Sequence, residues 1–182
     1  MAKQGVYGLA SFKMQAAVEG GYPTSWDSAF SLKAIVKDSM SFNDQAPSEN
    51  DIEVEDMDNY YASLPSSIAT KGFTIQTYDM SKETYTYLMG YSELSGDEGW
   101  MAETPGFQLG NQAVQVVTKA INDFPAKTFE WANMSVKVSR TGTVGKSGFP
   151  NLQLEFKQAS LSDSNGVEIS GARWKIGAPS DY

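Results

Sequence analysis

Apolar and polar residues alternate at period two through much of this chain, the spacing of half-buried strands rather than of helices. Phe30, Leu32, Ala34 and Val36 alternate with Ser31, Lys33 and Ile35 in a phase that runs on to Met40 and Phe42, predicting one long strand. Phe73–Tyr78 predicts a second strand by alternation and by its β-branched and aromatic content. Four more follow: Ala113–Thr118, Phe129–Arg140, the run marked by Leu152, Leu154 and Phe156, and Val167–Ile176. Within Phe129–Arg140 the apolar phase moves from Phe129 and Trp131 to Met134, Val136 and Val138, which predicts a bulge. The turn Asp163-Ser164-Asn165-Gly166 suits a hairpin, because Asn and Gly tolerate positive φ.

One segment departs from period two. Asp79 or Ser81 offers a cap to Lys82–Met89, and Gly90 supplies a left-handed stop, so a short helix is expected over about 80–89. Tyr85, Leu88 and Met89 stand at i, i+3, i+4 and form its apolar stripe, facing core or interface rather than a sugar. Residues 1–27 read as an irregular arm, rich in glycine and small residues, that ends at Gly20-Gly21-Tyr22-Pro23. Residues 43–51 and 92–111 read as loops, and Thr141–Gly148 as a flexible loop without the spacing of a phosphate-binding motif. No repeat or linker divides the chain. The expected fold is a single domain over 1–182, mainly β (α+β). An antiparallel β-sandwich or barrel spans 28–182, with one short helix, an N-terminal arm and long loops.

Composition then narrows the chemistry. With 182 residues and 41% apolar content, the chain has room for one good-sized core. It has no histidine and no cysteine, which removes Ser-His-Asp and Cys-His nucleophilic schemes, Cys/His zinc sites, iron–sulfur clusters and disulfides. Paired carboxylates remain a catalytic option, yet no motif isolates one in an apolar pocket. No enzyme activity, cofactor or metal is therefore expected. No run approaches the ~20 apolar residues of a membrane span, and the interrupted apolar positions of residues 1–27 predict no export leader.

Charge adds the sharpest feature. The 22 acids outnumber the 14 bases, for a formal charge of −8, which argues against binding nucleic acid. Between Lys37 and Lys71 there is no base, and Asp38, Asp44, Glu49, Asp51, Glu53, Glu55, Asp56 and Asp58 all fall there. Removing these eight leaves 14 acids against 14 bases, so one segment carries the whole excess. Glu49, Asp51, Glu53 and Glu55 recur every second residue with Ile52 and Val54 between them, which in an extended chain places four carboxylates on one face. A solvated edge strand protected from aggregation is one reading. A surface that an anionic polymer must pass without sticking is another. Calcium binding is a third, although no EF-hand loop is present.

The stretch Ser48–Tyr91 resembles the major tail tube proteins of long-tailed bacteriophages. It contains the acidic strand, a strand ending in Thr77-Tyr78-Asp79-Met80-Ser81, and a short helix closed by Leu88-Met89-Gly90. The type VI secretion tube protein is similar in architecture. The resemblance implies a homo-oligomeric ring of six subunits, rings stacked into a tube with other tail proteins, and a channel through which phage DNA passes without specific binding. It implies a place in the virion tail, manufacture in the host bacterial cytoplasm and no membrane. Glu49, Asp51, Glu53 and Glu55 would then line the channel wall or its rim. The arm and a long loop would contact the neighbouring ring, with Tyr7, Phe12, Trp26, Trp100 and Phe107 as stacking residues. The competing expectation is a monomeric β-sandwich that grips carbohydrate through exposed Trp26, Tyr60, Tyr61 and Trp100.

Overall fold

The computed structural model describes residues 7–52, 62–65, 70–95, 99–146, 148–169 and 174–177. Strands account for 49% of the chain against one helix of eight residues, so the fold is mainly β and antiparallel. The elements are β1 (Tyr7–Ala16), β2 (Phe30–Ser31), β3 (Ser41–Phe42), β4 (Glu49–Ile52), β5 (Ala62–Pro65), β6 (Gly72–Thr77), α1 (Lys82–Met89), β7 (Tyr91–Glu93), β8 (Met101–Glu103), β9 (Gln112–Lys119), β10 (Thr128–Thr141), β11 (Asn151–Gln158) and β12 (Trp174–Gly177). One large sheet runs β2-β1-β9-β10-β11-β6-β3, with β12 added on β10, while β4–β5 and β7–β8 form separate two-stranded sheets.

The expected N-terminal arm is a strand inside the large sheet. Residues of β1 pair with β9 from Tyr7↔Lys119 to Ala16↔Gln112. Phe12 and Met14 are wholly buried, alternating with Ser11, Lys13 and Gln15 on the other face. That alternation is short, and Gly8 at φ 57° together with two register shifts interrupts it. Burial of the two apolar side chains outweighs the poor strand propensity of the glycine and small residues around them.

The core explains the sheet's shape. Phe73 on β6 and Phe156 on β11 are register partners whose rings stack at 4.6 Å. Phe12 lies 5.5 Å from Phe156 and 6.2 Å from Phe73, although β9 and β10 separate β1 from β11 in the sheet. The sheet must therefore curl until its ends face each other, with Ile75, Val114, Val116, Met134, Leu152, Leu154 and Leu88 filling the space between. It does not close into a barrel, which corrects that half of the expectation. Instead, residues 30–42 cross between the two ends. Leu32 N–H donates to Phe12 O at 3.0 Å, then Val36 N–H donates to Gln76 O at 2.8 Å. The long strand predicted here is broken into β2 and β3 because Ala34 (φ 46°) and Asp38 (φ 58°) take left-handed conformations.

The other strand expectations fare differently. β6, β9, β10 and β11 form where alternation placed them, and the bulge in β10 falls at the shift between Trp131 and Met134. β9 is buried on both faces, and on the neighbouring β1 Gln15 donates to Ser25 O of the segment that follows. The 92–111 loop contains the β7–β8 hairpin. Of Val167–Ile176 only Trp174–Gly177 forms a strand, while residues 170–173 lie outside those described. The Asp163–Gly166 turn forms, the Asp163 carboxylate accepting from Asn165 and Val167 N–H with Gly166 at φ 78°, but it closes only the bridge Ser162↔Glu168 and not a β11–β12 hairpin, because β12 pairs with β10.

Candidate assembly surfaces

The acidic segment forms a hairpin that stands apart from the large sheet. Asn43 and Gln45 pair with Gly72 and Thr70, fastening the base of the hairpin to the start of β6. Beyond that base, among the described residues β4 and β5 form a two-stranded sheet of their own, with Glu49↔Pro65 and Ile52↔Ala62 as the outer register pairs. Glu49 is exposed, and so are the apolar Ile52 and Leu64. Two strands alone are marginal in water, so a two-stranded hairpin with exposed apolar side chains gains from a partner. Glu53 and Glu55 lie outside the described residues, as do Tyr60 and Tyr61. Glu49 and Asp51 both fall within β4, and the Asp51 side chain lies outside those described.

The stacking candidates separate into two groups. Phe12 belongs to the core and Trp26 is buried, so neither offers a surface to a neighbouring ring, or to carbohydrate in the case of Trp26. Both come from the segment expected to be an arm: burying their rings is worth more to the fold than presenting them. Tyr7 opens β1 at its pairing with Lys119. Trp100, beside the β7–β8 hairpin, is 72% exposed. Phe107 lies against Gly90, the left-handed cap of α1 (φ 66°), where a Cβ would run into the Phe107 ring.

A second surface was not apparent from the sequence. Arg140, near the end of β10, lies over the Tyr85 ring of α1 at 5.5 Å and the Tyr91 ring of β7 at 5.4 Å, and it donates to the Tyr91 hydroxyl. Tyr85 and Tyr91 meet edge to face at 5.2 Å. No carboxylate among the described residues bridges Arg140 or Lys146. Tyr78, just past β6, meets Phe149 edge to face, and Phe149 is 79% exposed. Residues 131–154 contain Lys137, Arg140 and Lys146 and no acid at all, a stretch that charge counting could have flagged. Register places this cluster opposite the hairpin: Arg140 pairs with Leu152 and Leu152 with Thr77, whereas the hairpin leaves from Gly72, the other end of β6.

Other polar groups serve the fold. Ser81 caps α1, accepting from Thr84 N–H. Asp79 braces that cap by accepting from the Thr84 hydroxyl at 2.7 Å and from Ser81 N–H at 3.0 Å. Burial alone would push the Asp79 carboxyl up, but the bonds from Thr84 and Ser81, with the nearby Lys33 charge, bring it below the usual range. The buried face of α1 is Thr84 and Leu88, with Tyr87 stacked on Phe30 at 4.4 Å, one position round from the predicted stripe. Burial pushes the Tyr87 hydroxyl up. An open groove of about 640 Å³ lies between α1 and β2; its Lys82 and Glu83 are paired with Glu93 and Lys33. The buried Glu130 accepts from Gln115 at 2.8 Å and bridges Lys175 of β12 at 2.5 Å, with the Lys175 ammonium 4.4 Å from the centre of the Tyr22 ring. Burial, reinforced by the Glu130 charge, raises the Tyr22 hydroxyl. Among the described residues no three carboxylates gather as a metal site requires.

No protein-family model and no curated protein matches the sequence. Among solved structures, one described as the structure of a type six secretion system protein is a distant fold neighbour. It has 11% identity and a TM-score of 0.32, over 88% of this chain and 90% of that one.

Proposed function

We propose that this chain is a structural subunit without catalytic activity, which assembles with its own copies into stacked, six-membered rings of a phage tail tube. Viral DNA passes along the channel without being specifically bound, and other tail proteins close the ends. The place of action is the virion tail, after synthesis in the host cytoplasm. The carrying observation is the acidic β4–β5 hairpin, fastened at its base and, among the described residues, a two-stranded sheet separate from the large one. Assembly gives its exposed Ile52 and Leu64 something to cover them. The tail tube resemblance of Ser48–Tyr91 points the same way. DNA carries about one charge per 1.7 Å of axis, so a wall with surplus carboxylates lets it slide where a basic wall would hold it by counterion release.

The test is negative-stain microscopy with light scattering on the concentrated full chain, from low to high salt. Rings or tubes support the reading; a strict monomer throughout refutes it. The exposure of Trp100 favours one second reading, a carbohydrate-binding module. Glycan-array binding by a monomer, abolished in Trp100→Ala, would establish it instead.

A further inference from the structure

Asn165-Gly166 is the one Asn-Gly pair in the sequence, and every other asparagine is followed by a residue with a side chain. A glycine amide nitrogen meets the least steric resistance in attacking the preceding asparagine's side-chain carbonyl carbon, because no Cβ stands in the way. Both residues are exposed, and among the described residues no atom beyond the chain neighbours comes within 4 Å of where a Gly166 Cβ would stand. Water reaches the pair freely, yet the turn restrains the attacking group. Gly166 N–H donates to Asp163 O at 3.0 Å, and one Asp163 carboxylate oxygen accepts from Asn165 N–H and Val167 N–H, each at 2.9 Å. We propose that Asn165 is a site of spontaneous deamidation and that the turn centred on Asp163 sets its rate.

The reaction needs water as its only co-reactant. Gly166 N gives its proton to solvent and bonds to the Asn165 side-chain carbonyl carbon. The bond from that carbon to the side-chain nitrogen breaks, and the nitrogen takes up a proton and leaves as ammonia. Water then opens the cyclic imide at either carbonyl, giving aspartate or, by opening at the main-chain carbonyl, isoaspartate. Ring closure requires Gly166 N–H to leave Asp163 O, so only opened turns react. Few bonds hold the turn shut: Asp163 N–H to Val167 O at 2.9 Å, Ile169 N–H to Leu161 O at 2.7 Å, and the bridge Ser162↔Glu168. A short exposed segment of this kind opens at far lower cost than the whole fold, so the folded chain reacts, more slowly than the unfolded one. The Val167 N–H bond, assisted by Asn165, holds the Asp163 carboxyl below its usual range and keeps the acceptor ionised at neutral pH. Either product adds a carboxylate two residues from Asp163. Isoaspartate also lengthens the main chain inside the turn, which removes the present Gly166-to-Asp163 geometry for good. The site stands whether or not the chain assembles.

The test incubates the full-length chain at neutral pH in heavy-oxygen water, folded and in urea, beside D163A and N165Q. Peptide mass spectrometry locates the product, and far-UV circular dichroism verifies the fold. The parent should gain one heavy oxygen at residue 165, and N165Q, which must close a larger ring, should stay intact. Folded D163A should react roughly threefold to tenfold faster than the folded parent, the effect of losing hydrogen bonds that close the turn. In urea, where no turn exists, the two should react equally. Equal rates for the folded chains, or an excess for D163A that persists undiminished in urea, would overturn the role of the turn. Absence of heavy oxygen at residue 165 in every folded chain would overturn the site itself.

Discussion

Replacing Phe12 with alanine tests whether the N-terminal segment is an appendage or part of the core. The ring has 0% exposure and packs 5.5 Å from Phe156 and 6.2 Å from Phe73, where the two ends of the curled sheet meet. A buried aromatic side chain removes ~150–250 Å² from water, worth roughly 4–6 kcal/mol as an upper figure at ~25 cal/mol per Å². Measured Phe→Ala losses in cores run at about 3–5 kcal/mol. The cavity here opens between three strands that cannot all move in, since β1 is pinned to β9 by its register from Ser11 to Ala16. A loss of about 4 kcal/mol is therefore expected, lowering the melting temperature by roughly 8–16 °C for a chain of this size. Urea unfolding followed by tryptophan fluorescence gives the free energy, with Val18→Ala, on an exposed residue just past β1, as the control. The control should change stability by less than ~0.5 kcal/mol. If Phe12→Ala costs no more than the control, β1 does not belong to the folding unit and the core described above is wrong.

Two further outcomes follow from local geometry. Gly90→Ala combines a left-handed backbone with a clash against Phe107, and should cost ~2 kcal/mol or more, seen as a melting temperature lower by roughly 4–8 °C. Asp79 is held below the usual carboxylate range in the folded chain, so the unfolded chain takes up its proton first as pH falls. Its contribution is complete above the ordinary carboxylate range and fades as pH drops through the lower folded value. Asp79→Asn should thus be less stable than the parent at neutral pH, and the gap should close between about pH 5 and pH 2 in urea titrations.

Sequence legibility followed how local each determinant is. α1 was readable because its signals are its own residues, Ser81 and Gly90 at the two ends. β6 and β11 were readable because alternating burial leaves a period in the side chains. The bulge in β10 was readable because slipping the register moves apolar residues to the other face. β1 was hidden because its partner β9 is distant in sequence and glycine weakens its pattern. The break in 30–42 was hidden too: Ala34 gives no compositional sign of a positive φ that tertiary packing imposes. At the candidate surfaces, the acid-rich segment could be counted directly. The Arg140 cluster joins α1, β7 and β10, and only the folded sheet brings those three together.

The pairing of β1 with β9 also governs how the chain is made. The strand that begins at Tyr7 meets the two-residue β2 soon after synthesis, but its long edge finds β9 only once Lys119 has emerged, roughly 110 residues later, or about 5–20 s at ordinary elongation rates. Throughout that interval Phe12 and Met14 lack the β9 and β11 side chains that complete their core, and the nascent chain leaves them partly exposed. Yield in an expression host should accordingly respond to chaperone supply and to translation speed upstream of Lys119, even for variants whose finished fold is equally stable.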